Sequence, residues 1–155
     1  MTEAFMKQVA VSLSLMLLAA ACGDDSGSNQ TADSCENETR ADEFIVGLDK
    51  VGQNGLKVVL LEATPARPAK GDNDWRIQVL DATDTALDGL QIGVTPWMPD
   101  HGHGTTVKTV VSEVEGATGE YTLSPVNLWM PGLWTVTLNI NDSADEVVFA
   151  TCIEG

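Results

Sequence analysis

Every histidine in the chain lies in one short stretch, Trp97-Met98-Pro99-Asp100-His101-Gly102-His103-Gly104. Imidazole nitrogen and thioether sulfur are the ligands that select copper among first-row metals, sulfur favouring Cu(I) and nitrogen accepting both oxidation states. At positions i and i+2 the two rings point to the same side of an extended chain, and Gly102 lets the backbone bend so that they converge. Met98 and Met130 can supply the sulfurs, and Trp97 and Trp129 can shield an ion from water. Asp100 can ligate directly or orient a histidine. Copper is favoured over zinc because two histidines without a free thiolate do not complete a closed tetrahedral site. The same residues also read as a plain glycine-rich loop with solvent-facing histidines. The methionines are then core plugs beside the tryptophans, and the loop end contacts an envelope partner through its aromatic rings. Sequence alone leaves both readings open.

Enzymatic chemistry is poorly supplied. No G-x-S-x-G occurs, Ser124 precedes a proline, and the His-Gly-His-Gly run lacks the further histidine and aspartate of a metallo-hydrolase. Asp72-Asn73-Asp74 lacks EF-hand spacing and reads as an Asx-rich turn. The expectation is a protein that is not an enzyme.

The elements that must position the histidines follow from periodicity. Short runs rich in Val, Ile, Leu, Thr and Trp alternate with Gly, Pro, Asn and Asp clusters, the pattern of an all-β chain. Strands are predicted near 44–50, 56–63, 75–81, 90–97, 106–114, 119–124, 133–141 and 146–153. In the clearest of them Trp134, Val136, Leu138 and Ile140 alternate with Thr135, Thr137 and Asn139, so one face is buried and the other wet. Asn54-Gly55, Asp88-Gly89, Pro131-Gly132 and Asn141-Asp142 punctuate the runs. Seven to eight antiparallel strands predict an immunoglobulin-like β-sandwich, with a Greek-key barrel as the alternative. If successive strands alternate in direction, the connections 64–74, 98–105 and 125–132 share one end. That parity puts Met98, His101 and His103 beside Trp129 and Met130.

Outside the strands the chain reads as a leader and a tether. Lys7, the apolar run Val9 to Ala21 and then Cys22 resemble a bacterial lipoprotein signal. A run of thirteen residues as a helix reaches only about 20 Å against roughly 30 Å of bilayer hydrocarbon. Residues 1–21 are therefore expected as a signal peptide, with Cys22 acylated as the membrane anchor; an ordinary secreted protein or an uncleaved anchor are the alternatives. Residues 22–42 are polar and expected as a flexible tether, leaving 43–155 as one domain. The predicted location is the cell envelope, facing the periplasm or the exterior. With Cys22 assigned to lipid, Cys35 and Cys152 remain as a disulfide pair or as two buried thiols. The net charge of −15 argues against nucleic acid, whose phosphates need basic side chains.

Three segments in order carry a resemblance: Val94 to Gly104, with its Met-Pro-Asp-His-Gly-His-Gly loop; Gly119-Glu120-Tyr121; and Asn127 to Leu138, with its Met-Pro-Gly-Leu-Trp turn. Together, over roughly 75–150, the chain resembles the YtkA-like domain, a small β-sandwich related to the FixH proteins. The resemblance implies an extracytoplasmic, often membrane-anchored domain. FixH-type relatives are associated with assembly of copper-containing oxidases, which implies copper and an envelope protein or metalloprotein partner. FixH proteins carry a transmembrane helix, whereas this chain carries only the short apolar run.

Overall fold

A computed structural model describes residues 35–142 and 144–155. The expected signal peptide, the lipidation site Cys22 and the tether as far as residue 34 lie outside the described residues. Among the described residues no helix is long and apolar enough to cross a membrane.

Two antiparallel sheets face each other, as expected for an immunoglobulin-like sandwich. The first contains β1 (Asp49–Val51), β2 (Lys57–Thr64), β3 (Gly71–Leu80), β6 (Val110–Glu113) and β7 (Glu120–Leu128), in the order β1-β2-β3-β7-β6. The second contains β4 (Ile92–Met98), β5 (His103–Gly104), β8 (Gly132–Ile140) and β9 (Asp145–Ile153), in the order β5-β4-β8-β9. Among the described residues nine strands stand in place of the expected seven to eight, because the chain adds a two-residue edge strand, β5, inside the segment read as the connection 98–105.

The core is what the alternation requires. Val58, Leu60, Trp75, Ile77, Val79, Tyr121 and Leu123 from the first sheet meet Met98, Trp134, Val136, Leu138, Ile140, Val147 and Phe149 from the second, all of them buried. Phe44, Trp75 and Phe149 form an aromatic triad with ring centroids 4.8 to 6.5 Å apart, favourable tilted and edge-on arrangements. Tyr121 reaches the long connection between β3 and β4: its hydroxyl donates to Leu87 O at 2.8 Å and accepts from Leu90 N at 3.1 Å.

Two expectations fail for identifiable reasons. The strand expected at 44–50 shrinks to β1, because the chain before it turns through Gly47, whose φ of +90° belongs to the left-handed region. The turn expected at Asp72-Asn73-Asp74 is part of β3. Asn73 is fully buried there, and its side chain bonds Ala69 N, Ala69 O, Gly71 O and Val126 O, replacing the water a buried amide needs.

The segment 35–42, expected as the end of the tether, is held against β9. A disulfide joins Cys35 to Cys152 with a Cα–Cα separation of 5.6 Å. Asp42 donates its N–H to Ala150 O and accepts Ala150 N on its carboxylate, and Lys50 pairs with the same carboxylate. In the chain-entropy account a bridge closing so long a loop stabilises the fold by about 4–5 kcal/mol.

At the opposite end of the sandwich Asp145 is buried and fastens the β1–β2 turn to β9. Its carboxylate accepts Asn54 N (3.1 Å), Leu56 N (2.9 Å) and Glu146 N (2.9 Å). Gly52 lies against it so closely that a Cβ there would sit 2.3 Å from Asp145 Oδ1. Burial pushes the Asp145 carboxyl up, but the backbone donors outweigh it and hold the group below the ordinary carboxylate range. A carboxyl lowered in the folded state stabilises above its unfolded pKa, and that contribution is lost as pH falls through the folded value. Asp145→Asn should therefore cost about 1–3 kcal/mol at neutral pH, with the gap from wild type closing below the carboxylate range. Urea unfolding of both proteins at neutral and acidic pH measures it.

Candidate functional site

The three connections predicted to share one end do share it. Gly71 pairs with Leu128, Trp97 with Thr135 and Gly132 with Ile153. The β2–β3, β4–β5 and β7–β8 connections therefore gather at the pole where the last residues of β4 meet the first of β8.

The His-Gly-His-Gly sequence is a tight hairpin between β4 and β5. His101 N and Gly102 N both donate to Met98 O, at 3.3 and 2.9 Å. Gly102 has φ +69°, in the region an L side chain avoids. Gly104 is required for a different reason: a Cβ on it would lie 2.5 Å from the Pro96 carbonyl oxygen, so only glycine lets β5 approach β4 this closely. The register then pairs Met98 with His103 and Trp97 with Gly104. Directly opposed residues on an antiparallel pair project to the same face, with Cβ atoms about 4.5–5.5 Å apart. His103 therefore shares the inward face of fully buried Met98.

The Gly104 carbonyl organises the rings around it. It accepts the Trp129 indole Nε1 at 3.3 Å and lies 3.3 Å from His103 Nδ1. A carbonyl only accepts, so this contact favours the tautomer with a proton on Nδ1 and leaves the His103 Nε2 lone pair available. His103 lies against the Trp129 ring, with centroids 5.4 Å apart and planes 30° from parallel. His101 lies edge-on to His103 at 5.7 Å. Met130 follows Trp129, is half-buried against the core, and its carbonyl accepts Trp134 Nε1 at 2.9 Å. Trp97 and Trp129 remain 43% and 46% exposed, leaving aromatic surface at this pole.

The structure brings His101, His103 and Trp129 into contact range and pairs Met98 with His103 across the β4–β5 ladder. It gives Asp100 a partner that sequence reasoning missed. Arg40 donates from Nη1 to Asp100 Oδ1 at 2.8 Å and from Nη2 to Asp100 Oδ2 at 2.6 Å. Glu38 holds the other side of the guanidinium, accepting Arg40 Nε at 2.9 Å and Nη2 at 2.6 Å. Arg40 holds the Asp100 carboxyl below the ordinary range, with His101 acting in the same direction. Asp100, followed by Glu38, raises Arg40 still further above its already high value. No local motif links residue 40 to residue 100; only the folded path of segment 35–42 does. Thr105 and Asn127 are also new: Thr105 Oγ1 donates to Asn127 Oδ1 at 2.8 Å, and Asn127 Nδ2 donates to Asp72 Oδ1 at 2.6 Å, tying the hairpin exit to the first sheet. Among the described residues no three or more His, Cys, Asp or Glu side chains are grouped to hold a metal ion.

The architecture defines a class, an antiparallel sandwich that presents a histidine hairpin flanked by tryptophan and methionine at one pole. The YtkA-like family matches residues 50–139, more than half of the chain, and the protein belongs to that family. The match runs from within β1 nearly to the end of β8 and includes the hairpin and both tryptophans. No curated protein matches the chain. A solved structure described as "ZirS C-terminal Domain" aligns at 10% identity with a TM-score of 0.38, covering 100% of this chain and 88% of that one.

Because Gly104 sets how closely β5 lies on β4, Gly104→Ala should push the hairpin off and cost about 1–3 kcal/mol. The His103–Trp129 contact should go with it. NMR checks this through the ring-current shift of the His103 imidazole protons, which should collapse toward the free-imidazole position, and denaturant unfolding gives the stability change.

Proposed function

We propose that this protein is a non-enzymatic envelope lipoprotein, anchored through Cys22, that binds or delivers copper through His101, His103, Met98 and Met130. The observation that carries the reading is the spacing of the imidazoles. Metal–nitrogen bonds near 2 Å put the centroids of two rings sharing one ion roughly 4–6 Å apart, and His101 and His103 stand at 5.7 Å. The donor chemistry supports the same assignment. A third ligand at this pole would come from a thioether. Met98 lies on the same face as His103, and Met130 adjoins Trp129. Two imidazoles with thioether sulfur suit Cu(I). The ion would be held by His103 through Nε2 and by His101, with Met98 as floor and Met130 at the side. Trp129, in contact with the His103 ring, would limit water around it, as a Cu(I) site requires to resist oxidation.

A second reading has its own observation. Trp97 and Trp129, both substantially exposed on one pole, are the kind of aromatic surface that anchors a protein partner. On this reading the pole docks an envelope protein without a metal.

The two are separated by anaerobic titration of the full-length protein with Cu(I) against a chromophoric chelator, repeated with His101→Ala/His103→Ala. The copper reading predicts one equivalent of tight binding, weakened at least ~100-fold in the double variant. Binding no tighter than to an unrelated acidic protein would discard copper and leave the docking module.

A further inference from the structure

The connections at the two poles differ in charge. At the pole away from the histidines the β3–β4, β6–β7 and β8–β9 connections carry Asp81, Asp84, Asp88, Glu115 and Asp142 and no lysine or arginine. At the histidine pole Arg67 and Lys70 stand on the β2–β3 connection. Lys108 stands on the segment from β5 to β6, which Thr105 and Thr109 tie to Asn127 and Pro125 near the end of β7. All three bases are exposed, and none makes an ion pair among the described residues. Three acids at this end, Asp100, Glu38 and Asp72, are engaged by Arg40 or Asn127. The same end leaves Trp97, Trp129 and Val107 40% or more exposed.

Chain geometry turns this end toward the proposed lipid anchor. Cys35 is bonded to Cys152, and Cys152 pairs with Leu133, the second residue of β8, so the chain enters the domain at the histidine pole. The thirteen positions from Cys22 to Cys35 reach at most about 45 Å. Turning the far pole to the bilayer would use about 30 Å of that reach in passing the nine residues of β8. We infer that the histidine pole rests on the surface of the bilayer, with Trp97 and Trp129 at the level of the headgroups and Arg67, Lys70 and Lys108 beside lipid phosphates. This rests on the proposed anchoring through Cys22. Tryptophan suits such an interface because its ring is apolar and its N–H is polar, and lysine and arginine held near a bilayer are drawn to its anionic lipids. The net charge of −15 does not forbid the contact. The far acids lie about 30 Å from this end, well beyond the roughly 8 Å over which charge is felt at physiological salt.

The test places the full-length acylated protein, free of metal, in vesicles of phosphatidylcholine and phosphatidylglycerol and reads tryptophan emission as lipids brominated in the upper acyl chain replace ordinary ones. Trp75 and Trp134 are buried in the core and serve as the internal reference. The wild type should lose emission to the brominated lipids, and Trp97→Phe/Trp129→Phe should lose almost none. Arg67→Glu/Lys70→Glu/Lys108→Glu should float with the vesicles as the wild type does, because the lipid still anchors it, yet show at least ~twofold less quenching. Flotation of the wild type without quenching is the result expected if a protein partner occupies this pole, and it would overturn the inference while the anchoring stands. Quenching that survives in the tryptophan variant, or that charge reversal leaves unchanged, would overturn it in the same way. A wild-type protein that carries no acyl group and does not float would instead remove the anchored reading and this inference with it. Circular dichroism on each variant distinguishes lost contact from unfolding, and either variant keeps the test decisive if the other does not fold.

Discussion

The pole depends on how closely a two-residue strand can lie against its neighbour. At Gly104 there is no space for a Cβ against the Pro96 carbonyl, and this sets the distance between β5 and β4. Once that approach is made, the register sets His103 opposite buried Met98, and the Gly104 carbonyl meets both the Trp129 indole and the His103 ring. One missing methyl group therefore sets the face of a histidine and the aromatic wall beside it. The glycine at 102 does separate work, closing the turn in a conformation other residues avoid.

Around this hairpin the sandwich supplies rigidity from three directions. Trp134 begins the buried face of β8 and bonds the Met130 carbonyl, so the turn carrying Trp129 is tied to the core. Thr105, Asn127 and Asp72 link the hairpin exit across to the first sheet. From the third side, segment 35–42 reaches the β4–β5 loop with Arg40. Side chains on loops hold ligand geometry less well than side chains on strands. These links give a histidine on the turn and its neighbour on a two-residue strand the fixed surroundings that a binding site requires.

Much of the fold is legible in the sequence because its signals are local. The alternation from Trp134 to Ile140 is a direct record of one buried face, and counting strand directions puts Trp129 at the histidine end without any contact information. The failures are equally physical. Asp72-Asn73-Asp74 has the composition of a turn, and nothing local reveals that Asn73 is buried with its amide satisfied by the backbone of the 69–71 loop and β7. Phe44 belongs to the core, but its neighbours follow turns rather than a strand, since an apolar residue shows burial and not backbone path. Within the site, the histidines, methionines and tryptophans announce themselves by type and spacing. Arg40 does not: its pairing spans 60 positions and exists only because segment 35–42 is fastened along β9.

The central claim is that the two imidazoles and at least one thioether bind one copper ion. X-ray absorption at the copper edge of the protein loaded with one equivalent of Cu(I) tests it directly. The account predicts two nitrogen scatterers near 2.0 Å with imidazole outer-shell features and one or two sulfur scatterers at about 2.3 Å, the sulfur signal diminishing in Met98→Leu or Met130→Leu. A spectrum fitted by nitrogen and oxygen alone, with no sulfur, would contradict it.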